Sequence, residues 1–167
     1  FSQLVPRNIL LFLLIFLLTT AGKGNMLCAQ VADASDVSSD TLNRKRFILV
    51  TTTGATLYAA SIPALYILWY KDYPQSSFHF FNDNDEWLQM DKAGHTTASY
   101  YIGLIGYSTL RWSGVSEKKS IWYGGMTGLV YLTTVEIMDG FSEQWGASVG
   151  DMIANTAGTA LFISQQL

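Results

Sequence analysis
Apolar residues fall in long blocks separated by polar connectors, and the block lengths predict helices, not strands. An uncharged stretch over residues 47–70 is long enough, at about 1.5 Å per residue, to cross a hydrocarbon core of about 30 Å. Pro63 interrupts it, as membrane spans tolerate, and Trp69, Tyr70 and Tyr73 at its far end resemble an interfacial aromatic belt. Further apolar helices are expected over residues 86–111, 121–136 and 149–165. Asn84 or Asp85 is placed to cap the second helix, and Ser148 with Asp151 has capping-box spacing for the last. Small residues (Gly94, Ala98, Ser99, Gly103 and Gly106, then Gly124, Gly125 and Gly128) offer surfaces on which backbones approach closely. The expected fold is all-α: a small bundle of about four apolar helices, membrane-embedded or membrane-associated.

Upstream, Arg7 precedes an apolar run over residues 9–18, and small and polar residues follow to Gly24. That order is a signal peptide's, and the run is short for a span, so residues 1–29 read as a signal peptide or an N-terminal anchor. Cleavage after Ala21 or Ala29 suits the small-residue rule. Residues 30–45 are mostly small, acidic and hydroxylated, a flexible linker, and residues 46–167 form the helical domain. Cys28 is the only cysteine, so no intrachain disulfide forms. Leu27 stands before it, where a lipobox has a small residue, so Cys28 reads as a cysteine in or just past the leader.

Composition narrows the class. Hydrophobic residues make up 49% of the 167 residues and charged ones only 14%, a membrane-leaning balance. A net charge of −3 and the lack of a basic stripe interleaved with aromatics exclude nucleic acid as a partner. Membrane lipid and other envelope proteins are the partners expected. Basic residues gather at Arg44 to Arg46 and around Arg111, Lys118 and Lys119, so if all four segments cross a bilayer these share the cytoplasmic face. A cleaved leader would instead deliver Arg44 to Arg46 outside. Either the leader is not a leader, or the domain is attached beyond the inner membrane.

Within residues 89–95, Asp91 and His95 stand one helical turn apart, on a stripe continuing through Ala98, Ile102 and Ile105 and reaching back to Leu88. Such a stripe packs inward, and an acid and an imidazole there must find partners. The other polar cluster in apolar sequence is Glu136, Asp139, Ser142, Ser148, Asp151 and Asn155. The connectivity puts both clusters at one end of the bundle. The first reading is a structural network of Asp91, His95, Glu136, Asp139, Ser148, Asp151 and Asn155 that fixes helix register. A second reading is acid/base catalysis by His95, Asp91, Glu136 and Asp139, or a divalent metal such as Zn or Mn on His95, Asp91, Glu136 and Asp151, in a hydrolase acting on a lipid-linked or cell-wall substrate. A third is a face that docks on an envelope assembly. Lys92 reads as a snorkelling surface residue and His79 as part of an aromatic loop. The polar run over residues 82–85 lacks the glycine and glutamate of a calcium loop.

The ordered set Asp91-Lys92-Ala93-Gly94-His95, Glu136, Asp139-Gly140-Phe141-Ser142, Trp145-Gly146, Asp151, Asn155 and Gly158 resembles the YfiM-like family of predicted periplasmic lipoproteins over residues 78–165. More remotely it is similar to VanZ-like membrane proteins. The resemblance implies a bacterial cell-envelope location, membrane-associated and on the periplasmic side, and it brings no established reaction.

Overall fold
The computed structural model describes residues 41–84 and 89–167. The signal-peptide or anchor reading of residues 1–29, and the linker up to residue 40, lie outside them. Five helices follow: α1 (Arg44–Leu65), extended by a π-helical turn (Tyr66–Tyr70); α2 (Met90–Trp112); a single turn α3 (Glu117–Lys119) leading through a second π-helical turn (Ser120–Gly124) into α4 (Gly125–Asp139); and α5 (Val149–Gln166). The described residues contain no strands, only two isolated bridges, Gln75 with Ser142 and Phe80 with Ala147. The all-α expectation holds. Its helix ends move by a few residues, because propensity marks the middle of a helix better than its termini. The second helix begins at Met90 instead of about residue 86, with Gln89 at its N-cap position in a left-handed conformation (φ 62°). Asp85 and Leu88 lie outside the described residues.

The first and last long helices start at side-chain caps. Asn43 caps α1 by accepting from Arg46 N, and Ser148 caps α5 by accepting from Asp151 N at 3.1 Å. α2 packs against both α4 and α5. The contacts are made by small residues: a Cβ on Gly158 would overlap the Thr96 carbonyl, one on Gly128 the Ser99 carbonyl, and one on Gly103 would meet Gly125 O at 2.9 Å. Ser99 Oγ fills the space between, bonded to Asn155 O (2.8 Å) and Thr159 Oγ1 (2.7 Å). An apolar core of Ile121, Phe162 and Ile163 lies further along, against Tyr100, Leu104 and Tyr107.

This packing corrects the expected inward stripe. The buried face of α2 runs through Lys92, Ser99 and Gly103, while Ile105 is 63% exposed and Asp91 is exposed. Ser99 and Gly103 permit closer backbone approach than isoleucine does, so they turn inward and Ile105 outward, while Tyr100, Leu104 and Tyr107 of the same helix pack on the apolar core.

α1 with its π turn, Arg44–Tyr70, is the one helix among the described residues long and apolar enough to cross a membrane, and none of its most apolar window is buried. Of the four apolar helices expected, one is a candidate span. The helix is tied at intervals by polar tips: Arg46 lies over the Trp112 ring at 4.8 Å, Tyr58 bonds Thr134 Oγ1 at 2.7 Å, and Trp69, Tyr70 and Tyr73 pack around Trp145.

Because Gly158 is in contact with backbone, Gly158→Ala is expected to destabilise the bundle by about 1–3 kcal/mol. Gly54, with open space around its Cα, is the control: Gly54→Ala should be neutral or add about 0.5–1 kcal/mol. Thermal melts of both variants in one detergent check the pair, and equal effects would refute the packing role.

Candidate functional site
The two polar clusters meet. The first turns of α2 supply Asp91, Lys92 and His95, the last turn of α4 supplies Glu136, and the start of α5 supplies Ser148, Asp151 and Asn155. The connection after α1 adds Asp83. It is held in place by pairing with the α4–α5 connection: Ser76 N donates to Phe141 O, Phe81 N to Ala147 O and Ala147 N to His79 O. His79, which sequence leaves as a loop residue, bonds the Trp145 carbonyl through Nε2 (3.1 Å), within the same connection.

Lys92 sits in the middle, with its side chain only 14% exposed. Its Nζ lies 2.6 Å from Asp83 Oδ1 and 2.9 Å from Asp151 Oδ1, with Asp91 Oδ2 further off at 3.6 Å. This replaces the reading of Lys92 as a snorkelling surface residue. The stem reaches Asp151 because Gly150 has no side chain; a Cβ there would stand 2.7 Å from Lys92 Cε. Burial works against the ammonium, yet the hydrogen bonds and charges of Asp83 and Asp151 hold its pKa above the usual lysine value. Burial also works to raise Asp83, but its bonds to Lys92 and Ser148 and the lysine charge bring it down to about 2.

The capping box is shared between helices. Ser148 Oγ accepts from Asp151 N as expected, but the returning carboxylate comes from Glu136, whose Oε2 accepts from Ser148 N at 3.0 Å. Asp151 is thereby left to face Lys92. Ser148 Oγ in turn donates to Asp83 Oδ1 at 2.7 Å. Burial raises Glu136 to about 7 against the opposing Ser148 N–H bond and His95, and raises Asp151 against the pull of Lys92.

His95 is oriented by Asn155, whose Oδ1 accepts from Nδ1 at 2.9 Å. In the neutral imidazole this places the proton on Nδ1 and leaves the Nε2 lone pair directed at the carboxylates. Nε2 stands 3.8 Å from Asp91 Oδ1 and 3.7 Å from Glu136 Oε1. One ligand atom each from Asp91, His95 and Asp151 lie within 4.8 Å of one another. The Asp91 side chain is 47% exposed, so the group opens to solvent on that side. Asp139 is placed differently: its Oδ1 accepts from Tyr70 OH at 2.7 Å, and burial raises its pKa to about 6 against that bond. It joins the end of α1 to the rim.

The family model described as predicted periplasmic lipoprotein (DUF2279) matches residues 79–165, which spans this whole assembly from His79 to the last turn of α5. The chain belongs to this family. Its family places the protein at the cell envelope on the periplasmic side, as expected from sequence. No curated protein and no solved structure matches the chain. In this DUF2279 domain the sequence reading brings together Asp91, His95, Glu136, Ser148, Asp151 and Asn155. It misses Asp83 and the inward role of Lys92, for which the glycine beside Asp151 was the available signal.

Removing Lys92 leaves Asp151 buried beside Asp83 without a cation. Lys92→Met is expected to lose about 3–5 kcal/mol, and Lys92→Met/Asp151→Asn to recover much of it; additive losses in a melting cycle would refute the pairing. In the presence of chelator, the raised Glu136 pKa predicts a pH slope. Its contribution is complete below the ordinary value of 4.5 and is lost as pH rises through about 7. Glu136→Gln should flatten the fall in stability over that window.

Proposed function
We infer that the protein is an envelope protein anchored by α1, whose rim of Asp91, His95, Glu136 and Asp151 holds a divalent cation beside a structural Lys92 network. The observation carrying this reading is the geometry at His95. Separations of 3.7 and 3.8 Å from Nε2 to Glu136 and Asp91 exceed hydrogen-bond length. They approach the ligand–ligand edge of a tetrahedral site with bonds of about 2.0–2.2 Å, an edge of roughly 3.3–3.6 Å. Asn155 on Nδ1 acts as the outer partner that fixes a ligating histidine, and one imidazole with carboxylates suits Zn or Mn.

The exposed side at Asp91 is where a substrate oxygen would join the four protein ligands as a fifth. A bound ion would supply Lewis acidity there, which suits hydrolysis of a lipid-linked or cell-wall substrate. The YfiM-like and VanZ-like resemblances support an envelope setting for such chemistry, and membrane lipid and other envelope proteins remain the proposed partners. The exposed apolar sides of α1, with Leu57 66% and Leu68 53% exposed, support its insertion in a bilayer. The 2.6 and 2.9 Å ion pairs of Lys92 favour the register-fixing reading for Asp83 and for Asp151 Oδ1, which would leave the other Asp151 oxygen to the rim.

Protein purified without chelator is expected to carry about one Zn or Mn per chain by elemental analysis, and His95→Ala to carry none. Chelation should lower the melting temperature of wild type and leave His95→Ala unmoved. Metal-free wild type that melts identically with and without added Zn or Mn would remove the cation reading and leave the structural one.

A further inference from the structure
At the end of α2 remote from His95, about 25 Å away at helical rise, the surface changes sign. Arg44, Lys45 and Arg46 begin α1, and Arg111, Lys118 and Lys119 surround the turn after α2. Glu117 is the acid among them. The turn and α1 are joined: Asn43 N donates to Ser113 O at 2.9 Å, and Arg46 stacks on Trp112. Beside that joint is a cavity of about 480 Å³, walled by apolar side chains that include Phe47, Leu110, Val115 and Tyr123. Lys119 is the one charged residue in its lining. That volume lies within the range of about 300–1,000 Å³ typical of small-ligand sites.

An apolar slot with a cationic mouth selects an amphiphile with an anionic head. Trp112 and Trp122, both exposed at this end, are the aromatic type that settles at headgroup level, beside the basic start of the candidate span. Bilayer lipid is then the amphiphile within reach. We propose that this slot seats an acyl chain of an anionic phospholipid, whose phosphate is held by Lys119 with Lys118, Arg44 and Lys45 around it. The assignment rests on the reading of α1 as the membrane anchor. Basic clusters at the end of a span attract anionic lipid by charge alone, and the slot adds a seat for the chain.

The test uses the full chain in neutral detergent, melted with phosphatidylglycerol, phosphatidylcholine or inorganic phosphate. Phosphatidylglycerol at tenfold over half-saturation should raise Tm by about 3–6 °C, with no response to the other two. Thr51→Trp, an exposed position in the slot wall, and Lys118→Glu/Lys119→Glu should keep the basal Tm and lose the rise. Equal responses to both lipids, a response to phosphate alone, or a full rise in Thr51→Trp would each overturn the proposal. Alkaline carbonate extraction of membranes reads the anchor separately. A protein that resists extraction but shows no lipid selectivity sinks the slot alone, and one that is extracted yet keeps the selective rise sinks the anchor alone.

Discussion
Five carboxylates, Asp83, Asp91, Glu136, Asp139 and Asp151, are gathered where α2, α4, α5 and two connections converge, and such a group repels itself unless a cation stands within it. Lys92 is that cation. Its position one residue into the helix after Asp91, and the missing side chain at Gly150, let its ammonium sit between Asp83 and Asp151. A buried ion pair is weak evidence for net stability, because desolvation offsets most of the attraction. Its effect is on register: sliding α2 by one residue against α5 would strand charge in a low-dielectric setting. The pair also draws in the connection after α1, since Asp83 reaches both Lys92 and Ser148.

With Lys92 satisfying Asp151 and Ser148 N satisfying one oxygen of Glu136, His95 is freed from both. Asn155 holds its Nδ1, and its other nitrogen stands at a distance from carboxylates that no direct hydrogen bond explains. Asn155 Nδ2, fully buried, has no hydrogen-bond partner among the described residues. The charges divide between an ionic knot at Lys92 and a rim at His95 that opens to solvent beside Asp91.

Sequence made the meeting of the two clusters legible through connectivity: a helical hairpin returns its start to the level of the next hairpin's turn. The Ser148 cap was legible from its spacing. The phase of α2 was not, because hydrophobic periodicity assumes that large apolar residues face inward. Here Ser99, Gly103 and Gly158 make the contact, and Ile105 and Tyr101 point away. Asp83 was illegible for a different reason. It arrives through loop–loop backbone pairing, which leaves no period in the sequence, and the spacing of the polar run around it speaks only to capping.

Topology constrains the N-terminal half further. The matched family is described as periplasmic, and residues 79–165 follow α1 in the chain. Two successive crossings, one by the apolar run at residues 9–18 and one by α1, would return the chain to the side where Arg7 began. That side is cytoplasmic if basic flanks stay inside, and the matched domain would then be misplaced. The two runs are therefore alternatives. If α1 crosses, Arg44 to Arg46 are cytoplasmic, in agreement with their charge, and the turn after α2, hydrogen-bonded to Asn43 beside them, is cytoplasmic too, so only the end of the matched domain that carries His95 faces the periplasm. If the leader is exported, α1 must lie along the periplasmic side, and its uncovered leucines then need a lipid surface or a protein partner to cover them.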